Sequence, residues 1–347
     1  MRTGWSRTLL SLLAMLTCLA LAEGAIHWSG LAQRLADEDM FASRLDHFRA
    51  LERDPQVVLL GNSRVRHGID TGLLDRQLSA ALGRSVTSWN FGMGGVTGHS
   101  YLPLALRLLE REHPPDGVVI GIAPTDFVGT TSVALEQLVL SRPWQAGDLP
   151  AAFAAGASVE QALTILASSL SAGLCFRPRI QELVRGGRAL GPGLGPDRAG
   201  FKAETPVPPG LQKSRARQRA GGYRQELIGP DKQVGTFKLA CLDQAIKALQ
   251  GAGVKVVLVA MPASSAVHAL AAEPDSLEPV ILDAVAGLAE RQAIEFVDWS
   301  RPDWLTDAHF TDGDHLNRDG ARLLSQKLVS ELILPQIYAR FAAGDPD

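Results

Sequence analysis

Three side chains in the sequence are of the types that perform nucleophilic catalysis together. Ser63 stands in an Asn-Ser-Arg turn directly after the apolar run 57–61, while Asp312 and His315 stand three residues apart near the C-terminus. A serine hydroxyl is a weak nucleophile until a base takes its proton, and a histidine base needs a carboxylate on its other nitrogen. The three residues therefore predict a nucleophile, an orienting acid and a base.

Glycines elsewhere in the sequence could supply the hydrogen-bond donors that such chemistry needs. A developing oxyanion is stabilised by backbone N–H groups that approach it closely, and Gly94 and Gly95 lie in the segment NFGMGGVTG, 90–98. Each of these residues also has a purely structural interpretation. Ser63 could cap the turn that follows it, Asp312 could be the N-cap of a surface helix, and the glycines could serve only a tight turn.

Short β-branched runs alternate with helical patterns along most of the chain, and this alternation predicts how the side chains are positioned. It is typical of a three-layer αβα fold with a mostly parallel sheet, here of five strands. In such sheets ligands bind at the carboxyl ends of the strands, so the segments after the first three strands and the segment 309–320 should meet at one edge. The predicted strands are 56–61, 85–92, 117–124, 254–262 and 294–300, and the predicted helices are 70–83, 99–113, 237–253, 277–291 and one after His315.

The order of these blocks resembles the SGNH (GDSL-like) hydrolases, whose sheet is flavodoxin-like. That family carries a serine in a Gly-Asp-Ser turn after the first strand, a glycine after the second, an asparagine after the third and an Asp-x-x-His near the C-terminus. The matching segments here are Gly61-Asn62-Ser63, Asn90-Phe91-Gly92-Met93-Gly94-Gly95 and Asp312-Gly313-Asp314-His315. The site residues that the resemblance implies are the catalytic Ser63, Asp312 and His315 and the oxyanion-hole residues Ser63, Gly95 and Thr125.

Two residues depart from the family pattern. Asn62 replaces the aspartate of the turn, which is not a member of the triad, and Thr125 stands near the position of the asparagine. The chain is most similar to exported members of bacterial envelopes, which include proteins of alginate O-acetylation and of D-alanine transfer to teichoic acids. Among those proteins, acyl transfer to a polymer is as common as hydrolysis.

Outside the sheet the sequence predicts three further parts. Residues 30–55 should form a helical stalk before an SGNH-like domain at 56–342, and an insertion at about 128–235 separates the third strand from the fourth. The first half of the insertion, 132–185, has helical character. The stretch near 185–225 is rich in glycine and proline at first and basic afterwards, which favours a partly disordered segment.

The N-terminus has the composition of an export signal. Arg2 and Arg7 precede an uncharged apolar run, 8–22. We favour a signal anchor over 1–29, with cleavage of a signal peptide near Ala22 as the alternative. The anchor predicts a single-pass protein of the inner membrane whose catalytic domain lies in the periplasm, and cleavage would release that domain into the periplasm.

Composition and spacing exclude several classes of protein. The 347-residue chain has a formal net charge of −3, which provides no concentrated basic surface for nucleic acid. The segment GMGGVTG lacks the third glycine of a dinucleotide loop, and the residues around Asp312 match neither a calcium loop nor a zinc site. We therefore expect no cofactor and no metal. Cys175 and Cys241 could pair outside the cytoplasm or remain as buried thiols.

The residues and the resemblance together lead to one functional hypothesis and one alternative. The hypothesis is a serine-dependent O-acyl esterase or O-acyltransferase that acts outside the cytoplasm on cell-envelope or secreted polysaccharide. Its partners would be an acylated carbohydrate polymer and, for transfer, a multi-spanning membrane acyltransferase. The alternative is a catalytically inert protein of the same fold that binds glycan or scaffolds such an acyltransferase.

Overall fold

Five parallel strands form the central sheet. The computed structural model describes residues 20–129, 143–187 and 200–339, together with residues 14, 17 and 18. Every neighbouring pair of strands is parallel, and their spatial order is β2-β1-β3-β4-β5, which is the order of flavodoxin-like sheets. The predicted five-stranded parallel sheet is therefore confirmed. The strands are β1 (Val57–Gly61), β2 (Ser88–Gly92), β3 (Gly117–Ile122), β4 (Lys255–Ala260) and β5 (Glu295–Asp298).

Helices cover both faces of this sheet. Successive residues of a strand point to opposite faces, and the residues of β1 on both faces are apolar and buried. In β1, Val58 and Leu60 belong to one buried apolar cluster together with Phe91. Val57 and Leu59 belong to a second cluster on the other face. Side chains from helices complete both clusters, which gives the three-layer αβα arrangement.

The helices are distributed along the whole described chain. In chain order they are α1 (Leu31–Glu38), α2 (Met40–Arg49), α3 (Ser63–Gly68), α4 (Thr71–Leu82), α5 (Tyr101–Leu108), α6 (Leu149–Ala154), α7 (Val159–Leu170), α8 (Ala172–Cys175), α9 (Arg177–Val184), α10 (Pro209–Leu227), α11 (Thr236–Gly251), α12 (Ser265–His268), α13 (Glu278–Arg291) and α14 (Arg318–Lys327). Helix α14 continues directly as a π-helix, Leu328–Ile337. Short 3₁₀ turns lie at Gly98–Ser100, Pro124–Phe127, Ala146–Asp148, Ala269–Ala272 and Asp307–His309.

The strands and the helices between them lie close to their predicted bounds, with two differences. The helix predicted over 99–113 is shorter, because a 3₁₀ turn precedes α5 and α5 ends at Leu108. Two short helices between strands were not predicted: α12, and α3, which begins at Ser63, where the sequence indicated only a turn.

The insertion differs from its predicted form in its second half. Helices α6 to α9 lie within the part predicted to be helical. The 19-residue helix α10 occupies Pro209–Leu227, so the prediction of a disordered segment is wrong for 209–225. Residues 188–199 of that segment lie outside the described residues. A short antiparallel pair, Val128–Gly129 with Gln233–Val234, joins the two ends of the insertion.

The region predicted as a helical stalk contains α1 and α2, and α2 packs against the sheet domain. Phe48 of α2 contacts Trp89 and Phe91 of β2, with ring centroids 6.2 and 5.1 Å apart. Arg44 of α2 donates a hydrogen bond to the backbone oxygen of Asn90 at 2.7 Å. The region is therefore attached to the edge of the sheet.

Most of the apolar run 8–22 lies outside the described residues. In the part of the chain that the structure describes, none of the helices combines the length and the apolar character that a membrane span requires. Cys241 is a free thiol buried in α11, so it forms no disulfide with Cys175. Burial raises the pKa of the Cys241 thiol far above its usual value.

Candidate active site

The turn that carries the candidate nucleophile is shaped by a glycine and an asparagine. Gly61 ends β1 with a φ of 156°, and a Cβ at this position would lie 2.5 Å from the carbonyl oxygen of Gly121, so only glycine fits. Oδ1 of Asn62 accepts a hydrogen bond from the backbone N–H of Arg64 at 2.8 Å and thereby caps α3. Because Asn62 is the cap, the hydroxyl of Ser63 is not needed for that structural role.

The C-terminal segment presents Asp312 and His315 from a turn. Oδ1 of Asp312 accepts hydrogen bonds from the backbone N–H groups of Asp314 and His315, each at 2.9 Å. Helix α14 begins only at Arg318, and its N-cap is Asn317. The interpretation of Asp312 as a helix cap is therefore wrong: one of its oxygens fixes the turn, and the other is left for the imidazole.

The three candidate catalytic side chains form a continuous hydrogen-bonded relay. Nδ1 of His315 lies 2.9 Å from Oδ2 of Asp312, and Nε2 of His315 lies 2.9 Å from Oγ of Ser63. Because an ionised carboxylate can only accept, a neutral imidazole carries its proton on Nδ1, and Nε2 accepts from the serine hydroxyl. All three side chains are partly exposed. The arrangement can therefore remove the serine proton in the presence of a solvent-borne substrate.

Charges within the relay favour an ionised acid and a more basic imidazole. Burial alone would raise the pKa of Asp312, but the hydrogen bond and charge of His315 hold that pKa well below its usual range. Burial also acts to lower the pKa of His315. The hydrogen bond to Asp312 and the charge of Asp314 outweigh this effect, so the pKa of His315 lies above its usual value.

A second carboxylate, Asp314, lies beside the relay and is only 1% exposed. Its Oδ1 lies 3.6 Å from Nδ1 of His315. Arg219 donates to both of its oxygens, at 2.9 and 3.1 Å, and the hydroxyl of Tyr223 donates to Oδ2 at 2.5 Å. Nε of Arg64 lies 3.5 Å from the same Oδ2. Burial would raise the pKa of Asp314, but the charges of Arg64, His315 and Arg219 hold it below its ordinary value.

These contacts bring the insertion to the active site. Arg64 follows the nucleophile in α3, whereas Arg219 and Tyr223 belong to α10 of the insertion. Sequence patterns did not indicate a role in the site for these three residues or for Asp314. The Asp-x-x-His spacing leaves the position of Asp314 open, and no local pattern indicates which distant side chains will neutralise it.

The asparagine of the nucleophile turn is explained by a buried acid. Nδ2 of Asn62 donates to Oδ1 of Asp126 at 2.9 Å. Oδ2 of Asp126 accepts from the hydroxyl of Tyr101 at 2.9 Å and from the backbone N–H of Ala123 at 2.8 Å. Burial nevertheless raises the pKa of Asp126. An aspartate at position 62 would set a second carboxylate against Asp126 and could not donate, so the departure from Gly-Asp-Ser suits this neighbour.

A second histidine, His67, packs edge-on against His315, with ring centroids 4.9 Å apart. Its Nδ1 donates to the backbone oxygen of Lys202 at 3.0 Å and lies 3.2 Å from a carboxylate oxygen of Glu204. Burial and the charge of His315 lower the pKa of His67 to about 4. At neutral pH the imidazole of His67 is therefore uncharged, so it places no positive charge next to His315.

Two of the three candidate oxyanion donors line one cavity. Gly95 and Thr125 both line this cavity, which has a volume of about 610 Å³. Within the described part of the chain, the backbone N–H of Gly95 donates to none of the backbone carbonyl groups. The N–H of Ser63, at the first position of α3, has no partner within its helix. These groups are available to a ligand oxygen.

Asp312, Asp314 and His315 also offer ligand atoms that lie within 4.8 Å of one another, which on distance alone could hold a metal ion. These atoms are already engaged, because Asp314 accepts from Arg219 and Nδ1 of His315 faces Asp312. A cation there would also face the guanidinium group of Arg64. The grouping is better explained as the relay and its buried support.

Comparisons with known proteins give structural likenesses only. No protein-family model matches the chain, and no curated protein matches it. One similar solved structure is a carbohydrate acetylesterase family member from Sinorhizobium meliloti, with 14% identity and a TM-score of 0.32 over 81% of this chain and 98% of that chain. Another is a GDSL-like lipase from Bacteroides thetaiotaomicron, with 12% identity and a TM-score of 0.34 over 86% of this chain and 98% of that chain. Likeness at this level carries no argument about activity, so any functional proposal must rest on the site.

The charges around His315 predict opposite changes of its pKa in two variants. Asp314→Asn removes an anion next to the imidazole, so the pKa of His315 should fall, whereas Arg219→Gln removes a cation and should raise it. NMR titration of the imidazole resonances measures both. Arg215→Gln removes an exposed cation of the same helix and should leave that pKa unchanged. Shifts of the same sign in the first two variants would refute this account of the electrostatics.

Proposed function

We propose that this protein is a serine-dependent carbohydrate O-acyl esterase or O-acyltransferase. The observation that carries the proposal is the relay from Asp312 through His315 to Ser63, in which both hydrogen bonds are 2.9 Å long. A histidine that only packs in the structure can use any hydrogen-bond partners for its two ring nitrogens. A catalytic base needs its imidazole between a carboxylate and a partly exposed serine hydroxyl, as His315 is here. The relay therefore favours an enzyme over an inert protein of the same fold.

In the first half-reaction, Oγ of Ser63 attacks the carbonyl carbon of the O-acyl group, and Nε2 of His315 takes the hydroxyl proton. The carbonyl π pair moves to its oxygen, which is stabilised by the backbone N–H groups of Ser63 and Gly95, with Thr125 as the third donor. Asp312 stays ionised and stabilises the imidazolium. The bond from the acyl carbon to the sugar oxygen then breaks, and Nε2 returns its proton to that oxygen.

In the second half-reaction, the acyl ester on Ser63 is released by reversal of the same steps. A water molecule or a sugar hydroxyl gives its proton to Nε2 of His315 and attacks the acyl carbon. The collapse of the second intermediate breaks the bond to Oγ, which recovers its proton from the imidazolium. Water yields the free acid, and a sugar hydroxyl yields a new ester, so the site chemistry serves hydrolysis and transfer alike.

The cavity at the oxyanion donors supports a polar substrate. A long acyl chain would need an apolar channel, whereas sugar hydroxyls can exchange hydrogen bonds with polar side chains. Val128 is the one aliphatic side chain in the cavity wall as described. The polar and charged side chains of the wall belong to Thr97, His99, Thr125, Gln225, Glu226, Lys232 and Lys238. These side chains can exchange hydrogen bonds with the hydroxyl groups of a carbohydrate that carries the acyl group.

Loss of either end of the relay should abolish turnover. Ser63→Ala and His315→Ala should each lower kcat/KM for an aryl acetate by on the order of 10³-fold or more, and the double variant should lose little further, because the residues act as a unit. Asp312→Asn should be less damaging than either. Since the base must be neutral, activity should fall as the pH decreases through the raised pKa of His315. Turnover near the parent level in Ser63→Ala would contradict the proposal.

We further propose that the protein acts outside the cytoplasm and is tethered by its N-terminal segment. Arg2 and Arg7 before the apolar run 8–22 support this orientation. For transfer, the acyl donor would then come through a multi-spanning membrane acyltransferase, whereas hydrolysis would need no donor partner.

This topology can be tested with a reporter enzyme that is active only outside the cytoplasm, fused after Asp347. We expect an active reporter and a protein that stays with the membrane after an alkaline carbonate wash. An inactive reporter would refute export, and an active reporter on a fully soluble protein would show cleavage near Ala22.

A further inference from the structure

Helix α10 concentrates positive charge beside the candidate active site. Over Pro209–Leu227 its cations are Lys213, Arg215, Arg217, Arg219 and Arg224, against a single acid, Glu226. Two of these cations have carboxylate partners: Arg219 pairs with Asp314, and Arg224 pairs with Glu273. Among the described residues, Lys213, Arg215 and Arg217 are exposed cations that form no ion pair.

Lys213 and Arg217 line a groove of about 390 Å³ between α10, the start of α12 and the 3₁₀ turn at 307–309. The two cations stand four residues apart and therefore share one face of the helix. The acid in the lining is Asp307, whose oxygens already accept from the backbone N–H and the hydroxyl of Ser265 at 2.8 and 2.6 Å. The groove thus presents two cations against one carboxylate, and that carboxylate is oriented by Ser265 rather than by either cation.

The groove adjoins the relay. Gln212, which also lines it, donates from Nε2 to the backbone oxygen of Asp312 at 3.4 Å. Gln212 belongs to α10, the helix whose Arg219 and Tyr223 contact Asp314. Farther along α10, Gln225 lines the cavity that Gly95 and Thr125 also line. Gln225 lies eight positions after Arg217, which is ~12 Å along the axis at the rise of an α-helix. Helix α10 therefore runs from the basic groove, past the relay, to the polar cavity.

We propose that this groove is a subsite for the carboxylate groups of an acidic polysaccharide that lies along α10. This inference rests on the proposed function, and it makes an anionic glycan the substrate class. A guanidinium binds a carboxylate with two parallel hydrogen bonds, and an ammonium group adds a point charge beside it. The lining contains no aromatic side chain on which a nucleic-acid base could stack. Its concave form suits a single chain better than the flat surface of a membrane.

The subsite is tested by calorimetric titration of the full chain, carrying Ser63→Ala to prevent turnover, with a short oligogalacturonate. We expect binding that weakens with added salt, and binding at least about tenfold weaker for a neutral xylo-oligosaccharide of the same length. Lys213→Gln together with Arg217→Gln should lower the affinity by on the order of tenfold. Arg215→Gln is the matched control, an exposed cation of the same helix outside the groove, and should change the affinity by less than about twofold.

Several outcomes would overturn the inference. These are no binding of oligogalacturonate, equal binding of the neutral oligosaccharide, parent-like affinity in the double variant, or an equal loss in Arg215→Gln. Binding to anionic phospholipid vesicles that depends more strongly on the same two cations would assign the groove to a membrane instead. Aryl acetate turnover by the parent chain separates the two proposals. Turnover without glycan binding removes only the subsite, and glycan binding without turnover removes only the enzymatic role.

Discussion

The buried carboxylate of Asp314 holds the candidate active site together. Its compensating groups come from two other parts of the chain: Arg64 from the nucleophile helix, and Arg219 and Tyr223 from the insertion. Removing one partner from a buried ion pair costs about 3–5 kcal/mol. The ion pairs of Asp314 therefore fix the turn that carries Asp312 and His315 relative to α3 and α10. The hydrogen bond from His315 to Ser63 depends on that arrangement. The insertion is part of the site and not an attachment to the sheet.

The parallel sheet provides the second constraint, and this part could be predicted from the sequence. Strands β1, β2 and β3 end at Gly61, Gly92 and Ile122, and parallel strands direct their carboxyl ends to one edge. Alternating β-branched runs and helical patterns were enough to locate these ends. The residue types that follow them were enough to select Ser63 and His315, which are 252 positions apart in the sequence and share a hydrogen bond in the structure.

The remaining features depend on contacts that no local pattern reveals. Helix α10 contains Gly221 and Gly222 and has few apolar positions, so its composition favours disorder. Its long-range contacts, among them the Arg219–Asp314 pair, supply the stabilisation that helix propensity does not. The fit of Asn62 to its turn likewise depends on Asp126, 64 residues away, whose burial the sequence does not show. In each case a buried carboxyl group, that of Asp314 or Asp126, is bound by a side chain distant in sequence, and only the fold brings the two together.

In the proposed mechanism, Ser63 is a nucleophile activated by His315. A fluorophosphonate probe reports this directly, because it forms a covalent bond only with a serine whose proton is removed on attack. We expect one phosphonyl group per chain, located by peptide mass analysis on the peptide that contains Ser63. Labelling should be lost in Ser63→Ala and strongly slowed in His315→Ala. No labelling of the folded parent chain, or labelling that persists in Ser63→Ala, would show that Ser63 is not the activated nucleophile.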